Sequence, residues 1–543
     1  MSSYPDLFYR ILTSPLLLLG TLFAGLAVYI SLVVVYRLTL HPLARYPGPP
    51  LARITDIHLA YHAYLGTRHL EFYRTHELYG PIVRIGPNTL SINTSTALKS
   101  IYGFKSNVKK SDFYDAFPVN KNAVNVHSTR DKKVHARKRR VLSHAFSDKA
   151  LAELEKYILQ NVRAGCRLLA EKSGERAVRG FSGEEKGEWT GEWNMANWCN
   201  WLVFDIMGDL VFGKAFGMLE GEGNRFAVDL VGNAAHRHLI CGTHLTLHNY
   251  HLDKLLFRRI AANRTRYMAY SRTQATARTQ LGLDTDRKDF FYHLLQARDP
   301  ETGAGFSAPE LWGESNLLII AGSDTTSTAL AGTFFYLTRN PHVLARLTEE
   351  IRGSFADVED IVNGPALNSC AYLRACLDET LRMTPPVPGA LPREVLPGGL
   401  ELDGHHLPAG VVVGVPAYAI HHNEAYYPDS FRYLPERWLA DPQQNPYVGR
   451  LEEAREAFCP FSVGPRGCIG RGLAYVELSV TVARVLFLFD VRAKRGETLG
   501  EGGREGVQGV EGVEGRERRG EYQIEDRFAS RKDGPVVEFR VRG

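Results

Sequence analysis

The chain of 543 residues has no C-x-x-C pair, and its seven cysteines (166, 199, 241, 370, 376, 459 and 468) are odd in number. That argues against a zinc site or a disulfide framework and favours a reduced, cytosol-facing domain. No G-x-G-x-x-G follows a clear strand, and the glycine-rich stretch 494–520 lacks that context, so there is no credible dinucleotide fingerprint. An excess of one charge is also missing: 65 Lys and Arg stand against 60 Asp and Glu, a net of +5 that does not imply nucleic acid. There is no internal repeat. What the chain has is 44% hydrophobic residues, enough for a sizeable core in one large enzyme.

The N-terminus carries a membrane signal. Leu16 to Tyr36 contains no charge and is long enough to span a hydrocarbon core as a helix. A cleaved signal peptide would have a shorter apolar core and a small-residue cleavage site; here the run ends in Tyr36-Arg37 and His41-Pro42. Arg37, Arg45 and Arg53 follow the span, while Asp6 and Arg10 nearly cancel before it. The expected order is therefore a short lumenal segment (1–15), a signal anchor (16–36), a hinge (37–53) and a cytosolic domain (54–543). Pro42 and Pro47-Gly48-Pro49-Pro50 make the hinge a semi-rigid spacer that lifts the domain off the bilayer.

The remaining pattern is mostly helical. Ser147–Glu171 has apolar residues at helical spacing, and Trp193–Phe212 reads as a buried helix with Asp205 and Asp209 inside it. Strand-like runs are short: Ile82–Ile85, Thr89–Ile92, Val411–Pro416 and Pro535–Val541. The fold class is mostly α with small β-sheets. Gly174–Gly191 reads as a loop. Residues 494–520, rich in Gly, Glu and Arg, read as a disordered insertion.

Cys468 is the most informative residue. It lies in Phe461-Ser462-Val463-Gly464-Pro465-Arg466-Gly467-Cys468-Ile469-Gly470. Flanking glycines bare the sulfur to a large planar ligand, and Arg466 suits a thiolate or an anionic ligand. The segment resembles the haem-binding loop of the cytochrome P-450 superfamily, Phe-x-x-Gly-x-Arg-x-Cys-x-Gly. The hinge Tyr36–Pro50 is similar to that of fungal microsomal members. The resemblance covers about Tyr36 to Phe489. It implies the cytochrome P-450 fold after one transmembrane helix, haem b as cofactor, and Cys468 as the axial iron ligand beside Arg466, Phe461 and Gly470.

Three further motifs carry the same resemblance. Ala321-Gly322-Ser323-Asp324-Thr325-Thr326 interrupts an apolar helical run, and buried polar groups are costly without a purpose. The resemblance makes it the distal helix crossing the haem face at Ala321, with Thr325 ordering the oxygen and water network and Asp324 feeding protons. Read alone, it is equally a helix boundary capped by Ser323 or Asp324. Glu379 and Arg382 share a helix face at i,i+3. With Arg437 of Pro435-Glu436-Arg437-Trp438 they match the family's buried structural cluster; Trp438 replaces the usual phenylalanine. In the basic run Lys132–Arg140, the resemblance gives His135 and Arg139 to a haem propionate, with Arg393 as the third contact. Lys132, Lys133 and Lys138 would then lie on the proximal surface, attracting an acidic electron donor or forming a plain solvated face.

A thiolate ligand favours O–O cleavage of dioxygen. The resemblance therefore implies a monooxygenase in the endoplasmic reticulum membrane. Its partners would be an NADPH-dependent flavoprotein reductase, with a cytochrome b-type protein as a second donor. Ser111–Phe117 and Trp201–Asp209 look like the fungal benzoate para-hydroxylase branch and its secondary-metabolism relatives. That suggests an aromatic or polyketide-type substrate, with Phe113, Tyr114 and Phe117 along the pocket. A catabolic benzoate-type para-hydroxylase, a reductase-independent isomerase or dehydratase, and a non-enzymatic haem binder are the rival readings.

Overall fold

The computed structural model describes residues 15–118, 122–170, 189, 191–283, 287–503 and 515–542. The helices that place the site are α1 (Pro15–Val35), α2 (Lys132–Ser143), α3 (Asp148–Ala170), α4 (Met195–Phe212), α5 (Phe226–Thr243), α6 (Arg258–Gln280), α7 (Ala308–Arg339), α8 (Ala371–Met383) and α9 (Arg471–Leu488). The first strands are β1 (Ile82–Gly86), β2 (Thr89–Ile92), β3 (Val108–Lys110), β4 (Trp193–Asn194), β5 (Arg393–Val395) and β6 (Leu400–Leu402). They are followed by β7 (His405–Leu407), β8 (Val412–Gly414), β9 (Phe489–Ala493), β10 (Ile524–Arg527), β11 (Ala529–Lys532) and β12 (Val536–Val541).

Helix α1 buries none of its side chains and is long and apolar enough to cross a membrane. Its 21 residues span about 31 Å, close to a hydrocarbon core. The hinge behind it is not the spacer that its prolines suggest. Leu43 and Tyr46 are buried, and Arg84 N–H of β1 donates to the Pro47 carbonyl at 2.7 Å. A Cβ on Gly48 would lie 2.1 Å from the Arg84 carbonyl oxygen. The hinge is therefore docked on the domain, because that glycine lets two backbones meet.

The main sheet has the order β1-β2-β8-β5-β3; β2 and β8 run parallel, and the other pairs antiparallel. A second sheet orders β4-β12-β9, and β10-β11 and β6-β7 are hairpins. Most buried apolar side chains form one helical core in which α7 is central. It packs on α4, α6, α8 and α9. Helix α4 is buried nearly all round, and its Asp205 is satisfied by the Met218 and Leu219 backbone N–H groups at 3.0 and 2.9 Å.

Two expectations need revision. Helix α7 is continuous for 32 residues and starts at a Ser307/Glu310 capping box, so neither Ser323 nor Asp324 is a cap. Its mid-helix hydroxyls donate to its own carbonyls instead, as Thr328 does to Asp324 O at 2.8 Å and Thr333 to Ala329 O at 2.8 Å. The 494–520 stretch is also not disordered throughout. Gly503 N–H donates to Arg516 O at 2.7 Å, and Arg516 is buried. Residues 504–514 of that stretch, and nearly all of the loop expected at 174–191, lie outside the described residues.

Candidate active site

The Cys468 loop is fixed by backbone bonds. Cys468 N–H donates to Phe461 O at 2.8 Å, Gly467 N–H to Gly464 O at 3.0 Å, and Arg139 Nη1 to Gly467 O at 2.7 Å. Positive φ falls at Ser462 and Gly464, not at the glycines beside the cysteine. Gly464 is required for a second reason: a Cβ there would sit 2.0 Å from Tyr102 O. Cys468 is the one exposed cysteine, and its surface faces an interior cavity. Being away from bulk water raises the free thiol's pKa, against the pull of the Gly470 N–H, Arg139 and Arg471. Cys459 differs. Its N–H donates to His421 Nε2 at 3.0 Å, and burial pushes its thiol up to about 12.

That cavity, of about 300 Å³, lies between the cysteine loop and α7. Phe461, Arg466, Cys468 and Gly470 line one side, and Ala321, Gly322, Thr325 and Thr326 the other. Apolar residues such as Leu317, Ile320, Val387 and Leu391 fill most of the rest. Thr325 donates its hydroxyl to Ala321 O at 2.6 Å. Gly322 admits Met207, since a Cβ would lie 2.5 Å from its Cε. Asp324 points elsewhere. It lines a separate polar cavity of about 410 Å³ with Asn200 and Lys532. Burial raises its carboxyl to about 6, and Lys532 opposes the rise.

Cations collect at one edge. Strand pairing sets Lys110 opposite Arg393, and Arg466 joins them. Like charges opposed across strands repel. Among the described residues no carboxylate pairs with Lys110, Arg139, Arg393 or Arg466. Instead Arg393 Nη1 donates to the Tyr114 hydroxyl at 3.0 Å and Arg466 Nη1 to Thr129 O at 2.7 Å. Burial, followed by the Arg466 charge, pushes buried His135 down to about 3. Such a cluster calls for an anionic ligand. An apolar slot with a facing thiol and an unmatched cationic edge fits a haem with its two propionates.

The third motif closes around Glu379, which is fully buried. Arg382 Nε and Nη2 donate to its two oxygens at 2.9 Å each, and Arg437 Nε donates at 3.0 Å. Leu434 N–H at 3.0 Å and Trp438 Nε1 at 2.9 Å complete the set. The carboxyl is held down to about 2, against burial, by these two guanidiniums. Trp438 is thus more than a conservative aromatic replacement, since a phenylalanine has no N–H to donate.

Other expectations shift. Lys138 is buried against Glu310 and Glu314 at 2.8 and 3.2 Å, so only Lys132 and Lys133 of the three lysines face solvent. Arg137 and Arg140 also have carboxylate partners. Of the three aromatics, only Phe117 lines the cavity; Phe113 packs on α5, and Tyr114 holds Arg393 and Lys110. Sequence reading missed Lys110 and Glu477. Lys110 is legible only through strand register. Glu477 of α9 lines the cavity, burial raises it to about 8, and neither oxygen makes a full hydrogen bond; Thr326 is its polar neighbour. Its position nine residues after Cys468, in the second turn of α9, was the available signal.

Comparison with known proteins agrees with this geometry. The family model "Cytochrome P450" matches residues 47–501. Cytochrome P450 monooxygenase AKT7 of Alternaria alternata is 38% identical over 94% of this chain and 95% of its own length. Cytochrome P450 monooxygenase atnE of Emericella nidulans is 37% identical over 96% and 97%. Cytochrome P450 monooxygenase apf7 of Gibberella fujikuroi is 38% identical over 94% and 96%. With a cavity-facing thiol, an unmatched cationic edge and these full-length matches, the chain belongs to the cytochrome P450 family and is a haem-dependent monooxygenase.

Proposed function

We propose that this enzyme is anchored in the endoplasmic reticulum membrane and inserts one oxygen atom of O2 into a small hydrophobic, aromatic or polyketide-type substrate in fungal secondary metabolism. Electrons come from an NADPH-dependent flavoprotein reductase. The observation that carries the reading is the shared cavity, with the Cys468 thiol on one wall and the Thr325 hydroxyl on the facing helix. The fungal sources of the relatives support the setting.

When bound, haem supplies the oxidising chemistry, with the thiolate favouring O–O cleavage. The chain's residues do the rest. Cys468 supplies the sulfur on a loop that Gly464 and Arg139 hold in place. His135, Arg139, Arg393 and Arg466 bind the propionates, and Lys110 joins them. The apolar walls orient substrate and exclude water. Thr325 spends its proton on Ala321 O, so its oxygen is free to accept from a water in the cavity. Asp324, one residue away on the polar side, takes protons from solvent at its carboxyl and shares its cavity with the charge of Lys532, which itself donates to Asn200 and Ser327 at 2.6 Å each. Glu379, Arg382 and Arg437 hold the segments beneath the cysteine loop. Exposed Lys132 and Lys133 offer an acidic donor a docking charge.

The test is metabolite profiling of a strain lacking the gene, with reconstitution of the purified enzyme. A precursor should accumulate, and a product heavier by one oxygen should vanish. Purified enzyme with reductase should convert one to the other only when NADPH is present. Turnover without NADPH would give the reaction to the isomerase or dehydratase class.

A further inference from the structure

A second cavity, of about 800 Å³, lies just outside the first. The two share a thin wall. Phe117 and His238 line the inner cavity, while their chain neighbours Pro118 and Arg237 line the outer one. The Phe117 and His238 rings stack at 4.9 Å. Arg264 of α6 ties the wall together: its Nε donates to His238 Nε2 at 3.2 Å and its Nη2 to Pro118 O at 3.1 Å.

The outer cavity is unbalanced in charge. Arg237, Lys254, Arg258 and Arg264 line it against two carboxylates, Asp115 and Asp253. Both acids are already engaged, Asp115 by Arg130 at 2.6 Å and Asp253 by Arg237 at 2.9 Å. The Asp253 charge also reaches Arg264, without a hydrogen bond between them, and its second oxygen takes no donor among the described residues. Among the described residues, Lys254, Arg258 and Arg264 have no carboxylate within ion-pair distance. Arg264 is also half-buried, and burial together with Arg237 pushes its guanidinium down to about 10. A half-buried guanidinium whose hydrogen bonds, among the described residues, go to a histidine and a carbonyl is an incomplete anion site, and its planar fork matches a carboxylate.

We propose that this vestibule binds a carboxylate on the substrate, so that the enzyme takes amphipathic carboxylic acids. The apolar body passes the Phe117–His238 wall into the inner cavity, and oxidation falls at the end remote from the acid. The inference rests on the inner cavity being the haem pocket and narrows the substrate class for that same site.

The test uses probes anchored at the iron. A series of ω-(imidazol-1-yl)alkanoic acids of increasing length is titrated into the haem-loaded enzyme beside the matching primary amides. Nitrogen ligation is read by the Soret shift, and free imidazole controls for access. At one or more lengths the acid should bind at least tenfold more tightly than its amide, and the preference should fall in 1 M salt. The exposed pair K254Q/R258Q should cut the preference below threefold with amide affinity unchanged. R264Q should do the same and loosen the length dependence. Acid and amide binding within twofold at every length, or a preference that survives both variants, overturns the proposal. Loss of the thiolate-type carbon monoxide band would instead overturn the haem-pocket reading.

Discussion

Replacing Asp324 by Asn asks whether the two polar residues of α7 pass protons or only stabilise a helix. An aspartate carboxyl ordinarily titrates near 3.8; here burial lifts it to about 6, and desolvation brings half-buried Lys532 in the same cavity down to about 8. The pair brackets neutral pH. At pH 7 a group of pKa near 6 is protonated roughly one time in ten, often enough to take and return protons. Asparagine keeps the shape but cannot release a proton. Losing a positioned acid–base group slows product formation by roughly 10- to 1000-fold, or about 1.4 to 4 kcal/mol. Thr325→Ala removes the hydroxyl at the cavity end of the same route and should act in the same direction. Neither residue touches the Cys468 loop or the cationic edge, so haem content and substrate affinity should persist. Electrons still arrive, so reductant should be diverted to hydrogen peroxide or water. The assay compares NADPH consumed, product formed and peroxide released. Because the folded pKa is raised, the protonated fraction falls as pH rises through about 6. Wild-type product formation should therefore decline above that pH, and the Asp324→Asn profile should be flatter. Wild-type coupling in both variants would refute the relay and reduce these residues to helix structure.

Cys468→Ala should abolish the red-shifted Soret band of the reduced carbon monoxide complex, whereas Cys459→Ala should keep it; retention of the band in Cys468→Ala would reassign the ligand. Arg437→Ala leaves a buried carboxylate short of one cation and should cost about 3–5 kcal/mol, against about 1.5–3 kcal/mol for Trp438→Phe, both read by thermal melting with haem loss. Glu379 is held at about 2 instead of the usual 4.5, so it contributes roughly 3 kcal/mol at neutral pH. That contribution is fully present above pH 4.5 and is lost as pH falls toward 2; Glu379→Gln should remove that part of the acid sensitivity, and an unchanged acid profile would contradict it. Protease added to sealed microsomes should digest the catalytic domain and spare the region of α1; protection of the bulk of the chain would reverse the orientation.

The sequence alone determined the local chemistry. The glycine-framed Cys468, the apolar run of α7 with its polar interruption, the Glu379–Arg382 spacing and the uncharged N-terminal helix are contiguous signals, readable because helix periodicity and loop composition are properties of neighbours. What crosses long distances was decided only by the tertiary structure. Lys110 meets Arg393 through a register between strands that lie far apart in the chain. Asp324 and Thr325, adjacent in sequence, open onto different cavities because successive residues on a helix point about 100° apart. The prolines suggested a semi-rigid spacer lifting the domain off the bilayer, yet buried Leu43 and Tyr46 and the close backbone contact at Gly48 dock the hinge. The basic run read as a charged surface, but the carboxylates that bury Lys138 and bind Arg140 arrive on α7 and on the turn preceding it. A side chain's partner is set by packing, so composition reports which charges exist, and only the fold decides which of them remain unmatched and ready for a ligand.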